Sequence, residues 1–243
     1  VTYKGEEYSV TKIGDDAFFS CRPTSITIPE SLTEIGKNAF MYCHSLTSIT
    51  IPESVTEIGD YAFRACYKLY EVYNKSNLTI TAGSSENGDI AYYAKKVYTD
   101  DSGESKLKTV GDYIFYVDED NIELLVYLGD ETAITLPSDY EGKNYKIGDY
   151  AFSGCSSLTS VTLPENVTEI ASGAFSGCSS LTSITLPEGV TTIGKSAFED
   201  CSSLTSMTIP EGVTEIGDDA FSGGHTLASL TRAESASEVV SYT

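Results

Sequence analysis

Basic side chains are scarce in this chain: 15 Lys and Arg stand against 36 Asp and Glu, for a net charge of −21. A surface this acidic repels phosphate backbones and anionic lipid, so neither nucleic acid nor an anionic membrane is an expected partner. Long apolar runs are missing as well. Nothing approaches the ~18 consecutive apolar residues of a membrane span, and no membrane insertion is expected. Only two histidines occur, His44 and His225, far apart, and no Cys-x-x-Cys pairs the thiols, so a zinc site is not expected. Nucleophile-elbow, phosphate-loop and metalloprotease motifs are absent. Asp118-Glu119-Asp120-Asn121 superficially suggests calcium, but it lacks the glycine and distal glutamate of an EF-hand loop and reads as a solvated hairpin turn. No catalytic residue, metal or cofactor is therefore expected, and the chain reads as a non-enzyme. Apolar residues, in contrast, make up 40%, enough for a real core.

That core is written as a repeat. Residues 46–68 read LTSITIPESVTEIGDYAFRACYK, and 158–180, 181–203 and 204–226 repeat the template at a 23-residue step. Seven of the nine phenylalanines occupy one slot: Phe18, Phe40, Phe63, Phe152, Phe175, Phe198 and Phe221. Pro29, Pro52, Pro137, Pro164, Pro187 and Pro210 share another, each after an Ile or Leu. Within a unit, Ile49 and Ile51 alternate inward while Ser48 and Thr50 face out, as in a short strand. Pro52 lacks an N–H and ends the ladder. Val55 and Ile58 turn inward again, and the stretch from Gly59 to Cys66 curls back as a turn or short helical piece that buries Phe63 and Cys66. A unit of 23 residues cannot bury its own apolar face, so each must stack on its neighbours. The expected fold is a leucine-rich-repeat solenoid: one parallel β-sheet of stacked 23-residue units, with turns or short helices on the opposite face and β-hairpin insertions.

The elements Cys-x-x-Leu-x-x-Ile-x-Ile/Leu-Pro and Ile-Gly-x-x-Ala-Phe-x-x-Cys resemble those of the BspA-like, or Treponema-type, leucine-rich repeat, over roughly residues 10–72 and 134–231. The resemblance implies a bacterial protein that is secreted or at the cell surface, often an adhesin that binds host or neighbouring-cell proteins. The chain starts without Met and in mid-pattern, so it reads as a piece of a longer protein, with any signal peptide outside it.

Residues 73–133 depart from the template. Gly88-Asp89-Ile90-Ala91-Tyr92 matches Gly59-Asp60-Tyr61-Ala62-Phe63 with Tyr92 in the Phe slot, and Asn77–Ile80 is the expected strand of that disguised unit. A hairpin is expected from Tyr113–Val117, turning at Asp118–Asn121 and returning over Ile122–Leu128. Tyr140–Tyr145 and Tyr3–Tyr8 read as hairpins that open an array. The expected organisation is an N-terminal array over 1–98, a polar loop over 99–106, and a hairpin-led C-terminal array over 107–243. Arg232 takes the slot of Ile51, which ends the core there, and residues 233–243 are polar and weakly patterned.

The six cysteines, Cys21, Cys43, Cys66, Cys155, Cys178 and Cys201, each follow a Phe by three residues. Stacked side chains point in parallel rather than at each other, so reduced thiols in a packing slot are expected instead of disulfides. The exposed strand face carries a ladder of Ser25/Thr27, Ser48/Thr50, Ser160/Thr162, Ser183/Thr185 and Ser206/Thr208. Threonine ordinarily covers a solvent-facing sheet; the same row also forms a shallow polar face of the kind solenoids use for partners. Its even spacing would suit an ice-binding plane too, but the central interruption argues against that. Glu71 and Tyr73 replace Ser48 and Thr50 where the arrays meet, and twelve of the seventeen tyrosines lie within 67–150. Tyrosine offers wide contact area with a polar tip, but it also fills an irregular core, as expected of Tyr92, Tyr113 and Tyr127. The candidate partner-binding residues are Ser48, Thr50, Ser160, Thr162, Ser183, Thr185, Ser206 and Thr208, with an exposed hot spot at Tyr70, Glu71 and Tyr73. The expected role is a non-catalytic module for an extracellular protein partner, acting in adhesion. The alternative is a passive spacer that presents another domain.

Overall fold

The computed structural model describes residues 2–3, 6–7, 9–99, 103–224 and 227–232. The chain forms two compact units, Val1–Ser105 and Lys106–Thr243, and each is a solenoid of stacked coils. In the first, Ser25–Ile26, Ser48–Ile51, Glu71–Asn74 and Lys96–Tyr98 make a parallel sheet in that order. Its inward positions step in register from Ile26 to Ile49, Val72 and Val97. The second unit has the matching sheet of Ala133–Thr135, Ser160–Thr162 and Ser183–Thr185, with Ser206–Ile209 paired to Ser229–Arg232.

Every regular coil also contributes a second strand, beyond the single sheet expected. Lys12–Ile13, Glu34–Ile35 and Glu57–Ile58 form one such ladder, and Lys146–Ile147, Glu169–Ile170, Thr192–Ile193 and Glu215–Ile216 another. Two residues are too short to display an alternation, so periodicity could not reveal them. The glycines after Ile35, Ile58, Ile193 and Ile216 have a steric reason, while Ile170 is followed by Ala171. A Cβ on Gly59 would lie 2.7 Å from the Lys37 nitrogen, and one on Gly194 would lie 2.6 Å from the Ser172 nitrogen. The coils approach too closely there for a side chain.

The opposite face is built of turns, with two left-handed residues per coil. One precedes Ala-Phe, as in Asn38 (φ 55°), Tyr61 (φ 59°) and Ser196 (φ 53°); the other precedes Cys, as in Tyr42 (φ 63°), Ala65 (φ 60°) and Gly177 (φ 72°). Single left-handed residues interrupt a helix before it completes a turn. The chain therefore folds sharply enough to return in 23 residues.

The phenylalanines pile up as expected, buried except at the column ends, where Phe18 is 41% exposed and Phe221 half-buried. Phe18, Phe40 and Phe63 stack at 5.1 and 5.0 Å, and Phe152, Phe175, Phe198 and Phe221 at 4.9, 5.4 and 5.7 Å. Tyr127 continues the second column at 5.8 Å from Phe152, so it is core, and the half-buried Tyr113 packs beside it at 5.5 Å. Threonines stitch the corners, each hydroxyl donating to a carbonyl one coil back: Thr56 to Thr33 at 3.2 Å, Thr182 to Thr159 at 3.0 Å. The cysteines do likewise. The Sγ of Cys43, Cys66, Cys178 and Cys201 donates to the carbonyl of Phe18, Phe40, Phe152 and Phe175, at 3.1–3.2 Å. None of the six cysteines is in a disulfide. Burial raises the Cys43 thiol to about 11 and Cys201 to about 12, and pushes Cys66 higher still.

A three-stranded antiparallel meander, Leu107–Val110, Tyr113–Asp118 and Asn121–Tyr127, opens the second unit. The hairpin lies where the alternation placed it; the strand Leu107–Val110 was not anticipated. Glu123 and Leu124 then pair in parallel with Lys146 and Ile147, so the meander supplies the first rung of the second ladder. The acidic turn is neutralised by lysines, with Lys143 Nζ 2.9 Å from Asp120 and Lys106 Nζ 3.3 Å from Asp118. Tyr140 and Lys143 close a tight turn over Glu141 and Gly142, both left-handed. Thr2–Tyr3 pairs antiparallel with Glu6–Glu7, while Lys4, Gly5 and Tyr8 lie outside the described residues.

Two expectations for residues 73–98 are corrected. Asn77–Ile80 is not a strand: the Asn74 side chain accepts from Ser76 and donates to the Leu78 carbonyl, curling the chain, and the strand that follows in register is Lys96–Tyr98. Tyr92 is not in the core either, being 51% exposed, and Ile90 and Ala91 are buried instead. Phe63 bonds through its N–H to the Gly88 carbonyl, where Phe40 bonds to Ala62. Three extra residues have entered this coil by Gly88, and two remain in the step to the next strand, where Glu71 pairs with Lys96 as Ser48 does with Glu71.

Candidate functional site

The candidate face follows from strand alternation. With Val161, Ile184 and Met207 buried, their neighbours must point outward. In the second unit Thr162, Ser183, Thr185, Ser206 and Thr208 are exposed and Ser160 half-buried. Ser160 pairs with Ser183 and Thr162 with Thr185. The row starts at Ala133 and Thr135 and includes Thr208 beside Thr231, their Oγ1 atoms 3.4 Å apart. A groove of about 330 Å³ runs along the strand ends, lined by Leu163, Glu165, Leu186, Pro187 and Glu188. It joins carboxylates to an apolar floor beside the threonine row.

In the first unit the row is short. Ser48 is half-buried and Thr50 exposed, and their register partners are Glu71 and Tyr73. The expected exposed hot spot here is corrected: Tyr70 is 2% exposed and Glu71 1%, so neither presents a side chain to a partner, and Tyr73 is half-buried. Glu71 is instead an internal hub. Its Oε2 accepts from Tyr73 at 2.8 Å and from Ser105 at 2.8 Å, and its Oε1 from Tyr98 at 3.1 Å. The Tyr73 and Tyr98 rings stack at 4.8 Å. Gly103 lies flat on Tyr98, where a Cβ would overlap the ring. The chain after residue 102 thus crosses the end of this sheet and covers it. Three neutral donors hold the buried carboxylate in place of water.

The sequence reading overlooked the turn face of the first unit. Phe19 and Tyr42 pack at 5.5 Å, Tyr42 and His44 at 5.7 Å, His44 and Tyr67 at 5.1 Å, Tyr67 and Tyr93 at 5.2 Å. His44 Nδ1 meets the Ala65 carbonyl at 2.9 Å, and burial lowers its pKa, so the ring is neutral at pH 7 with Nδ1–H donating. The signal was present. The residue after Cys is His44 and Tyr67 in this unit but Ser156, Ser179 and Ser202 in the other. His225 lies outside the described residues. Among those described, no group of three or more His, Cys, Asp or Glu is placed to hold a metal, and no helix is long and apolar enough to cross a membrane.

The family model for the BspA type leucine rich repeat region matches in six copies, over residues 6–123 and 130–243. The chain belongs to this family. Among solved structures, it is similar to a leucine rich cell surface protein of Faecalibacterium prausnitzii, 25% identical over 95% of this chain and 79% of that one, with a TM-score of 0.51. The leucine-rich repeat protein of T. pallidum is 31% identical over 51% of this chain and 70% of its own, with a TM-score of 0.45. The pneumococcal vaccine antigen PcpA, 22% identical over 92% of this chain and 60% of that one (TM-score 0.54), shares the fold. No curated protein matches. The stacked coils with Phe, Cys and Pro in fixed slots are thus the BspA-type repeat itself.

Proposed function

We propose that this BspA-type chain is a non-catalytic interaction module of a secreted or cell-surface bacterial protein, adhering to a host or neighbouring-cell protein. The observation that carries the reading is the open, in-register row Ser160/Thr162, Ser183/Thr185 and Ser206/Thr208 beside a groove that mixes apolar and acidic groups. Flat polar rows on a rigid scaffold bury area without ordering cost. The family, and the surface location named for the F. prausnitzii relative, support the setting.

The test is surface plasmon resonance of the immobilised chain against a panel of extracellular proteins, alongside a variant carrying Thr162→Lys, Thr185→Lys and Thr208→Lys. These exposed positions tolerate lysine without loss of fold. Saturable binding that falls at least tenfold in the variant is expected. A folded chain that binds nothing would point to the passive spacer, and binding indifferent to the three lysines would remove this face from the mechanism.

A further inference from the structure

The three residues inserted before Gly88 do more than shift a register. They open a cavity of about 350 Å³ on the turn face of the first unit, lined by Tyr61, Arg64, Ser85, Asp89, Tyr92 and Tyr93, with Ala65 at its base. That volume is at the small end of the range for small-molecule sites, ~300–1,000 Å³. We propose that this cavity binds one neutral pyranose residue of a glycan, independently of the strand face.

Four features carry the assignment. First, the rings are held out to solvent rather than used as core: Tyr61 is 45% and Tyr92 51% exposed, and Tyr93 packs edge-on to Tyr92 at 4.9 Å and to Tyr67 at 5.2 Å. An aromatic face matches the patch of C–H bonds on one side of a pyranose, which carries no charge and needs no hydrogen bond there.

Second, Arg64, Asp89 and Ser85 bring hydrogen-bonding capacity to the cavity. The Arg64 guanidinium lies over the Tyr61 ring with Cζ 4.9 Å from its centroid, and its N–H groups donate to nothing among the described residues. The Asp89 carboxylate accepts nothing there, and the Ser85 hydroxyl makes no capping bond although it precedes a short helical stretch. A planar fork of donors and a two-oxygen acceptor lining one recess suit adjacent hydroxyls, each of which both donates and accepts. Burial raises the Asp89 carboxyl, opposed by the nearby Arg64 charge, as expected of groups that share one desolvated recess.

Third, the backbone is held in place at a cost. Asn87 (φ 50°), Gly88 (φ 67°) and Asp89 (φ 65°) are three left-handed residues in a row, two of them not glycine. Gly88 is wedged so that a Cβ would sit 2.4 Å from the Gly59 carbonyl, while Asn87 Nδ2 anchors the loop to the Thr79 carbonyl at 2.9 Å. The loop that presents Asp89 is rigid, not a slack connection.

Fourth, charge selects the ligand. A net charge of −21, with Asp89 in the cavity, disfavours anionic sugars, while Arg64 already occupies the face of Tyr61 that a cationic ligand would seek. The remaining class is neutral and rich in hydroxyls.

Saturation-transfer NMR with the methyl glycosides of glucose, galactose, mannose and N-acetylglucosamine tests this on the intact chain, with calorimetry for whichever sugar responds. Saturation of ring C–H protons in at least one sugar is expected, with affinity falling tenfold or more in Tyr92→Ala and in Asp89→Asn at unchanged melting temperature. The triple-lysine variant of the strand face should bind the sugar normally, so failure here and failure of the protein-adhesion reading are separable. No saturation with any of the four sugars, or binding that survives both Tyr92→Ala and Asp89→Asn, would overturn the assignment. Capture of a peptide or protein partner that is lost in Tyr92→Ala, with no sugar response, would overturn it as well.

Discussion

Replacing Phe175 by Ala tests the stacked interior where it is most constrained. The ring is fully buried between Phe152 at 4.9 Å and Phe198 at 5.4 Å, nearly parallel to both. Neither neighbour can slide into the void, because the backbone is pinned on each side: Phe152 N–H to the Ala174 carbonyl and Phe175 N–H to the Ala197 carbonyl, both at 2.8 Å. Large-to-small changes cost least where a site can collapse, and this one cannot. The expected cost is therefore near the upper end of the ~3–5 kcal/mol typical of Phe→Ala, including two ring pairs at roughly 0.5–1.5 kcal/mol each. Phe221 is the internal control: among the described residues it stacks on one ring, at 5.7 Å, and it is half-buried. Its replacement by Ala should cost about 1–2 kcal/mol, since less area leaves water. Urea unfolding followed by circular dichroism measures both. Equal losses for Phe175→Ala and Phe221→Ala, within about 0.5 kcal/mol, would refute the idea that position in the column sets the cost.

Other expectations follow from the same coils. Gly177→Ala should cost about 1–2 kcal/mol from its left-handed backbone alone, since the nearest atom to a new Cβ is 3.6 Å away, whereas Gly194→Ala adds a backbone overlap and should cost more in the same unfolding assay. A thiol reagent should label the exposed Cys21 rapidly in the native chain and reach Cys43, Cys66, Cys178 and Cys201 only on unfolding, as read by timed mass spectrometry. Because folding raises these buried thiols above their usual range, their contribution is complete below pH 9 and is lost as pH climbs through about 11 and 12, so melting temperature should fall on that alkaline limb. Glu71→Ala should lower stability by roughly 1–3 kcal/mol, as the half-buried hydroxyls of Tyr73 and Ser105 lose their acceptor while Tyr98 keeps the Glu104 carbonyl. A loss under about 0.5 kcal/mol would show that water replaces the carboxylate.

What the sequence discloses depends on whether a residue's neighbours lie one full repeat away. Phe63 and Cys66 face their own kind in the adjacent coil, so slot and environment coincide, and their burial was legible. Ser160, Thr162, Ser183 and Thr185 were legible for the same reason. Glu71 was not. It stands in the slot of Ser48, but its surroundings include Ser105, which is 34 residues away and belongs to no repeat. Tyr92 failed differently. Aligning it with Phe63 by the motif Gly-Asp-x-Ala assumes equal coil lengths, and three extra residues move the ring from core to surface.

The two errors point the same way. Where the period holds, the second unit places Gly154, Gly177, Ser156 and Ser179 on its turn face, residues that return the chain at low strain and offer little to grip. Left-handed slots take tyrosine at Tyr42 and Tyr61 in the first unit and at Tyr150 in the second, a conformation that glycine would adopt more cheaply. Stability alone would favour glycine at such positions, as Gly154 and Gly177 illustrate. Of these tyrosines it is Tyr61 whose ring lines the recess with Arg64 and Asp89, so there a conflict between backbone preference and residue type coincides with the proposed cavity.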